Sequence, residues 1–448
     1  MRIPTTRGPT GAKGMRLGSR RRRSAVAIRR MCSTVVHKEI NFCGLQWNML
    51  KEMTLEYVES LKYVDEIPRR FALPEAGSDI VAVVGPRRVG KTFTLLKKAA
   101  ETLKAGGQAV YATFDNPELR KWSAKKLAEE VRSLYPKGRV ALFLDEVQEW
   151  PNWDYNLRWL HDVKDFQIYA TGSTSALSVD QVPSRLRGRY ISKLLLPLSF
   201  AELAHGTAPH TFRERGALKS LLDDYLKWGG FPEVWKSRSL DKVRALLDTV
   251  FYRDVVEARG VREPEEFEAL FYTVVENYAN PVTWRSLARA LASEGVEIDP
   301  KTVIKYVKYM QWAYLIFVVP PYGRRRGAPR KIYLVDPAFT NLTKAGLDKG
   351  RKIENVTYLH LLRKAIEEGG KIYYIKNREE VDFYYVGQER AVVEAAYDPD
   401  ESHIRKAAKA AEKLGLKKAH VVTWDTEDTR RVGQVDIEIT PLWKWLLQ

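Results

Sequence analysis

Cysteine is nearly absent from this sequence: Cys32 and Cys43 are the two in 448 residues. They fit neither a zinc spacing nor a disulfide framework, which points to a reducing cytoplasm. Histidine is scarce too, with seven residues and none paired at H-x-x-x-H, so no metal cluster of His or Cys is expected. Long hydrophobic runs are missing. Ala313 to Val319 stops at Pro320-Pro321, well short of the roughly 18 residues of a membrane span. Glutamine and asparagine number nine and ten against 74 Lys and Arg, a balance that suggests a thermophilic host. No G-x-G-x-x-G follows the first apolar strand, which removes the dinucleotide-binding fingerprint.

What remains is a chain with 45% hydrophobic and 29% charged residues, typical of globular proteins. Its length suits about three domains. Net charge is +18 and unevenly placed: residues 1–30 hold ten Arg and Lys, including Arg20 to Arg23, and no acid. Such an arm binds nucleic acid or stays solvated. Residues 1–50 show no sustained period and are expected to be disordered at the start. Met15, Met31 and Met49 are alternative starts.

The organising stretch is Gly85-Pro86-Arg87-Arg88-Val89-Gly90-Lys91-Thr92, followed by Phe93. It fits the phosphate-binding pattern G-x-x-x-x-G-K-[ST]. Ile80 to Val84 before it reads as a buried strand. Leu95, Leu96, Ala99, Ala100 and Leu103 after it share one helical face. In that setting main-chain N–H groups and a helix N-terminus converge on phosphate oxygens. Lys91 would reach the β- and γ-phosphates, and Thr92 would hold Mg²⁺.

Two further strands follow, Ala109 to Phe114 and Val140 to Leu144. The alternation of strands and helices predicts a parallel α/β sheet, with ligands at the carboxyl ends of its strands. Asp145-Glu146 falls at that edge. Asp145 would act on the Mg²⁺, and Glu146 would orient and polarise the attacking water. Phe166 to Ala170 leads to Thr171-Gly172-Ser173, where a γ-phosphate sensor would lie. The arginines of Arg185-Leu186-Arg187-Gly188-Arg189-Tyr190 would stabilise charge on the transferring group, in cis or from a neighbouring subunit.

Taken together, G-P-R-R-V-G-K-T, L-D-E-V-Q, T-G-S, R-G-R-Y, L-P-L-S-F (Leu196 to Phe200) and Trp228-Gly229-Gly230-Phe231-Pro232-Glu233 resemble the AAA-type ATPases common in archaea and bacteria. The resemblance covers roughly residues 50–430. It implies a P-loop NTPase core with a helical lid, a winged helix and a restriction-endonuclease-like C-terminal domain, with ATP and Mg²⁺ as ligands. It carries over Lys91, Thr92, Asp145 and Glu146 to the catalytic core, Ser173 to the sensor segment and Arg189 to the G-R-Y segment.

The expected division is an arm at 1–50, an ATPase core at 51–190, a lid at 191–270, a winged-helix-like part at 271–345 and a nuclease-like part at 346–448. In the winged-helix-like part, Asp299 caps a helix that begins at Pro300. Val303 and Val307 face inward, and Lys301, Lys305 and Lys308 form a basic outer face. With Arg324-Arg325-Arg326 at a hairpin tip, they suit contact with a duplex DNA backbone.

The C-terminal part reads αβββαβ and resembles the PD-(D/E)xK nuclease core. The resemblance assigns Glu354, Asp382 and Glu394 as carboxylates for a second metal site. The lysine of that pattern is replaced by Ala396, so nuclease activity is not expected unless another lysine, such as Lys376, supplies the ammonium. The sequence therefore points first to an ATP-hydrolysing switch or motor associated with DNA or protein. The alternatives are a nucleic-acid-binding regulator with negligible turnover and a Mg²⁺-dependent nuclease.

Overall fold

The computed structural model describes residues 48–172, 188–206, 209–323, 327–376 and 380–448. The basic arm, Ser173, Arg185, Arg187 and Arg324 to Arg326 lie outside the described residues.

Five parallel strands form the first sheet: β1 (Ile80–Val84), β2 (Ala109–Thr113), β3 (Val140–Asp145), β4 (Phe166–Thr171) and β5 (Tyr190–Leu194). Their spatial order is β2-β3-β4-β1-β5. β1, β2 and β3 are buried along their whole length, which is why they appear as unbroken apolar runs rather than alternating ones. β5 escaped the sequence reading because it is a half-exposed edge strand with no such run.

Helices α1 (Met49–Ser60), α2 (Lys91–Lys104), α3 (Ala124–Leu134) and α4 (Trp153–Val163) flank this sheet. Asn48 caps α1 by accepting from the Leu50 N–H at 2.9 Å. Thr54 fastens α1 to β2: its hydroxyl accepts from the Tyr111 N–H at 3.0 Å.

Beyond β5 come a short helix, Phe200–Leu203, then α5 (Phe212–Trp228), a short helix Pro232–Ser237 and α6 (Leu240–Thr249). α6 runs on into a π-helical stretch, Val250–Glu257. Next are α7 (Pro264–Glu276), α8 (Trp284–Ser293) and α9 (Pro300–Trp312). Asp299 does cap α9, accepting from the Lys301 N–H at 2.6 Å. β6 (Pro281–Val282), β7 (Ile316–Val319) and β8 (Arg330–Leu334) make a small antiparallel sheet in the order β6-β8-β7.

The last part starts with α10 (Lys349–Glu368) and continues with β9 (Lys371–Lys376), β10 (Glu380–Val386), β11 (Arg390–Ala396), α11 (Glu401–Lys413), β12 (Lys418–Thr423), β13 (Asp428–Val432) and β14 (Val435–Pro441). The six strands form one mixed sheet, β13-β14-β12-β11-β10-β9. Neighbouring side chains point to opposite faces. Val393 and Val422 join the core that holds α10, whereas Val392 and Val421 pack with Ile404, Ala407 and Ala411 of α11. The observed order extends the expected αβββαβ by β13, β14 and a short helix, Leu442–Trp445.

A turn at Gly229-Gly230, between α5 and the short helix Pro232–Ser237, packs against Asp336 just after β8. Gly229 has φ 68° and ψ −160°, a region that is essentially glycine-only. A Cβ there would lie 1.6 Å from Asp336 Oδ1. The Gly230 N–H donates to Asp336 Oδ2 at 2.7 Å, and the Ala338 N–H donates to Oδ1 at 2.9 Å. Gly229→Ala is therefore expected to destabilise the chain by about 2 kcal/mol or more. Denaturant unfolding measures this, and an unchanged midpoint would contradict it.

Candidate active site

The phosphate-binding loop follows β1. Its first glycine, Gly85, is required by a close approach: a Cβ would sit 2.1 Å from the Leu195 carbonyl oxygen just past β5. Gly90 has φ 98° and stands at the N-cap of α2 with no side-chain cap. The N–H groups of the first turn are thus left for another acceptor, the arrangement that suits an anion. Val89 is buried in the core, and Phe93 is half-buried on α2.

Lys91 is buried and folds back on the loop. Its Nζ donates to the carbonyls of Gly85 at 3.0 Å and Pro86 at 2.9 Å. Burial lowers its pKa, and the nearby Glu146 and Asp145 oppose that shift. Thr92 and Asp145 meet as expected. The Thr92 hydroxyl donates to Asp145 Oδ2 at 2.8 Å, and the Tyr111 hydroxyl donates to the same oxygen at 2.9 Å. The Thr171 hydroxyl donates to Oδ1. Asp145 is only 2% exposed, and burial raises its pKa against these three donors.

Hydroxyl and carboxylate oxygens are the hard ligands that Mg²⁺ prefers, so Thr92 and Asp145 fit the ion. Tyr111 and Thr171 would orient the carboxylate. Glu146 adopts φ 51° and follows directly on Asp145. Its N–H donates to Thr171 Oγ1 at 3.3 Å, and its carboxylate accepts from Gln148 Nε2. A non-glycine residue at positive φ is the kind of strain that gathers at functional sites.

Thr171 lies in the Thr171-Gly172-Ser173 segment named for a sensor, although the residue singled out there was Ser173. Thr171 opens that segment, and its position at the carboxyl end of β4 was the available signal. Arg189 is not brought to the loop within this chain. It precedes Tyr190, which pairs with Ile80 at the opposite edge of the sheet, and it contacts Asp162 at 3.1 Å. A role in cis is therefore corrected by the parallel β1–β5 register.

Two loop arginines reach into the helical segment. Arg87 Nε lies 2.7 Å from both carboxylate oxygens of Asp254, which is 4% exposed and sits in the π-helical stretch. Arg88 Nη1 lies 2.7 Å from Glu233 Oε2. Asp254 carries no motif, Glu233 ends the Trp228-to-Glu233 segment, and both lie more than 140 residues from their partners.

On α9, Lys301, Lys305 and Lys308 are exposed opposite buried Val303, Tyr306, Val307 and Met310. The tip arginines that were to complete this surface lie outside the described residues.

Glu354, Asp382 and Glu394 do come together, but around lysines. A β-bulge between Val381 and Tyr384 re-aims Asp382. Its N–H donates to Glu394 Oε2 at 3.3 Å, and its Oδ2 accepts from the Ala395 N–H at 2.9 Å. Lys331 of β8 places its Nζ 2.9 Å from each of Glu354 Oε1, Glu380 Oε1 and Asp382 Oδ1. Lys406 of α11 pairs with Glu394. Burial and the neighbouring Asp382 push Glu354 up to about 7. A divalent ion does not fit this cluster as it stands, and among the described residues no group of three or more His, Cys, Asp and Glu is arranged to hold one. The lysine suggested by the sequence pattern, Lys376, ends β9; Lys331 and Lys406 carried no sequence signal for this role.

Residues 77–204 match the family described as an AAA domain, and residues 219–349 match a domain of unknown function (DUF8612). The chain is similar to the uncharacterized protein MJ1544 of Methanocaldococcus jannaschii, 28% identical over 438 residues, covering 93% of this chain and 97% of that protein. It is also similar to an uncharacterized protein of Haemophilus influenzae, 25% identical over 347 residues, covering 73% and 85% of the two chains. Among solved structures, the Walker-type ATPase PABY2304 of Pyrococcus abyssi aligns with 67% of this chain and 98% of its own, at 16% identity and a TM-score of 0.38. AMPPCP-bound DnaA of Aquifex aeolicus aligns with 61% and 91%, at 16% identity and a TM-score of 0.25. The family match over residues 77–204, the loop on β1 and the Asp145-Glu146 pair on β3 together support an AAA-type P-loop domain there.

Proposed function

We propose that this chain hydrolyses ATP to ADP and phosphate and uses the cycle to drive or switch a conformational change associated with DNA or protein. The observation that carries the reading is the convergence of Lys91, Thr92, Asp145 and Glu146 at one sheet edge. ATP would draw Lys91 away from the Gly85 and Pro86 carbonyls, exchanging two neutral acceptors for phosphate oxygens. The N-terminus of α2 would hold the same phosphates. Thr92 and Asp145 would hold Mg²⁺, which neutralises charge on the phosphate oxygens. Glu146 would accept a hydrogen bond from the attacking water and orient it.

The lid at 191–270 responds through Arg87 and Arg88, whose partners Asp254 and Glu233 lie in it. The winged-helix-like part at 271–345 and the C-terminal part at 346–448 would move with it. The exposed lysines of α9 favour a second reading, a nucleic-acid-binding regulator with negligible turnover.

Lys91→Ala is expected to abolish phosphate release and weaken nucleotide binding at least tenfold. Glu146→Gln should keep binding and lower kcat by about 10²- to 10⁴-fold. Phosphate release and titration with a fluorescent ATP analogue measure both, and undiminished turnover in either variant rejects the hydrolytic site.

Asp254→Asn removes the charge that Arg87 pairs with. Limited proteolysis of the nucleotide-free chain should then cleave the lid several-fold faster, whereas an unchanged rate would exclude a role for the Arg87–Asp254 pair in holding it.

If α9 meets duplex DNA, replacing Lys301, Lys305 and Lys308 by Ala should lower the salt slope of binding by about 3. A wild-type slope near zero would reject phosphate contact.

A further inference from the structure

We infer that Lys331 is the resident cation of the C-terminal part: its ammonium stands where a divalent ion would among Glu354, Glu380 and Asp382, and keeps that cluster closed to metal. An ammonium has three N–H donors and no acceptor. Lys331 donates to Glu354 Oε1 and Asp382 Oδ1 at 2.9 Å each and forms an ion pair with Glu380 Oε1 at 2.9 Å, and the residue is 1% exposed. Further protein donors engage the oxygens around it. The Tyr333 hydroxyl donates to Glu354 Oε1 at 2.6 Å, the Ala395 N–H takes Asp382 Oδ2, and Lys406 takes Glu394.

The lysine comes from β8, whereas Glu354 stands on α10 and Glu380 and Asp382 on β10 of the other sheet. β8 is the central strand of its sheet, flanked by β6 and β7, so Lys331 cannot withdraw without its hairpin. The hairpin is pinned close by. The Leu334 N–H donates to Asn355 Oδ1 at 2.8 Å, and Asn355 Nδ2 donates to the Leu334 carbonyl at 3.1 Å. The Tyr322 N–H donates to the Tyr374 carbonyl at 2.8 Å, which ties the far end of β7 to β9.

A tethered ammonium and a divalent ion cannot share this space, since like charges at contact in a buried site repel strongly. Removing the ammonium alone would leave Glu354 and Asp382 buried without a counter-charge, and an added cation would supply it. The cluster therefore works as the socket by which the β6-β8-β7 sheet docks on the C-terminal sheet, and a metal enters only when that plug leaves.

The test is Mn²⁺ binding to the nucleotide-free full chain, followed by electron paramagnetic resonance and calorimetry. Wild type and Asp382→Asn should give the same isotherm. Lys331→Ala should gain one Mn²⁺ per chain, at least tenfold tighter than any wild-type site, and Mn²⁺ should raise its melting temperature. The gain should vanish in the Lys331→Ala, Asp382→Asn double variant. Lys331→Met preserves most of the buried volume and should gain the same ion if the alanine variant fails to fold. A wild-type Mn²⁺ site that Asp382→Asn removes would overturn the inference, a comparison that needs neither lysine variant. So would a folded Lys331 variant that gains no ion.

Discussion

The Asp145 carboxylate is the constraint on which the ATPase domain turns. It is buried at the end of β3, and an unsatisfied carboxylate there would cost several kcal/mol. Three hydroxyls answer it, from Thr92 on α2, Tyr111 on β2 and Thr171 on β4. Each donor sits on a different element. The carboxylate therefore holds the loop helix, an outer strand and the neighbouring strand in one register. The same bonds that make the corner stable also aim its oxygens, so stability and chemistry draw on one network.

The parts of the molecule are joined by polar contacts that resemble this corner on a smaller scale. Asp336, buried after β8, accepts from Gly230 and Ala338, and burial pushes its carboxyl up to about 7. Arg363 of α10 donates to the Pro197 carbonyl at 2.7 Å, next to the strand that packs on the phosphate loop. Arg69 and the Arg70 N–H engage Glu202 at the start of the helical segment. Apart from the local bond from Ala338, each link crosses more than 100 residues of sequence. These contacts hold the parts together without a single continuous element running through them.

How much of this could be read from the sequence follows from how local each signal is. The Gly85-to-Thr92 loop, the apolar runs of β1 and β3, and Asp145-Glu146 are contiguous, so their chemistry was legible before any fold was known. Asp299 and Pro300 announced α9 for the same reason. Lys331 and Asp254 were not legible. Both are ordinary charged residues in the linear sequence, and each acquires a role only when folding buries it against partners far along the chain. β13 was missed because its Asp-Thr-Arg-Arg run is exposed and has no alternation to display. The sequence reading of Glu354, Asp382 and Glu394 recovered their proximity but not the lysines between them.

The π-helical stretch at Val250–Glu257 has a geometric consequence. A wide turn holds one residue more than an α-turn, and that surplus is a stored increment of register. Were it to tighten, every residue beyond it would advance by one position, about 100° around the helix axis. The Asp254 carboxylate would then face away from the guanidinium it now grips. The wide turn thus sets which side chain of this stretch looks at the phosphate cradle.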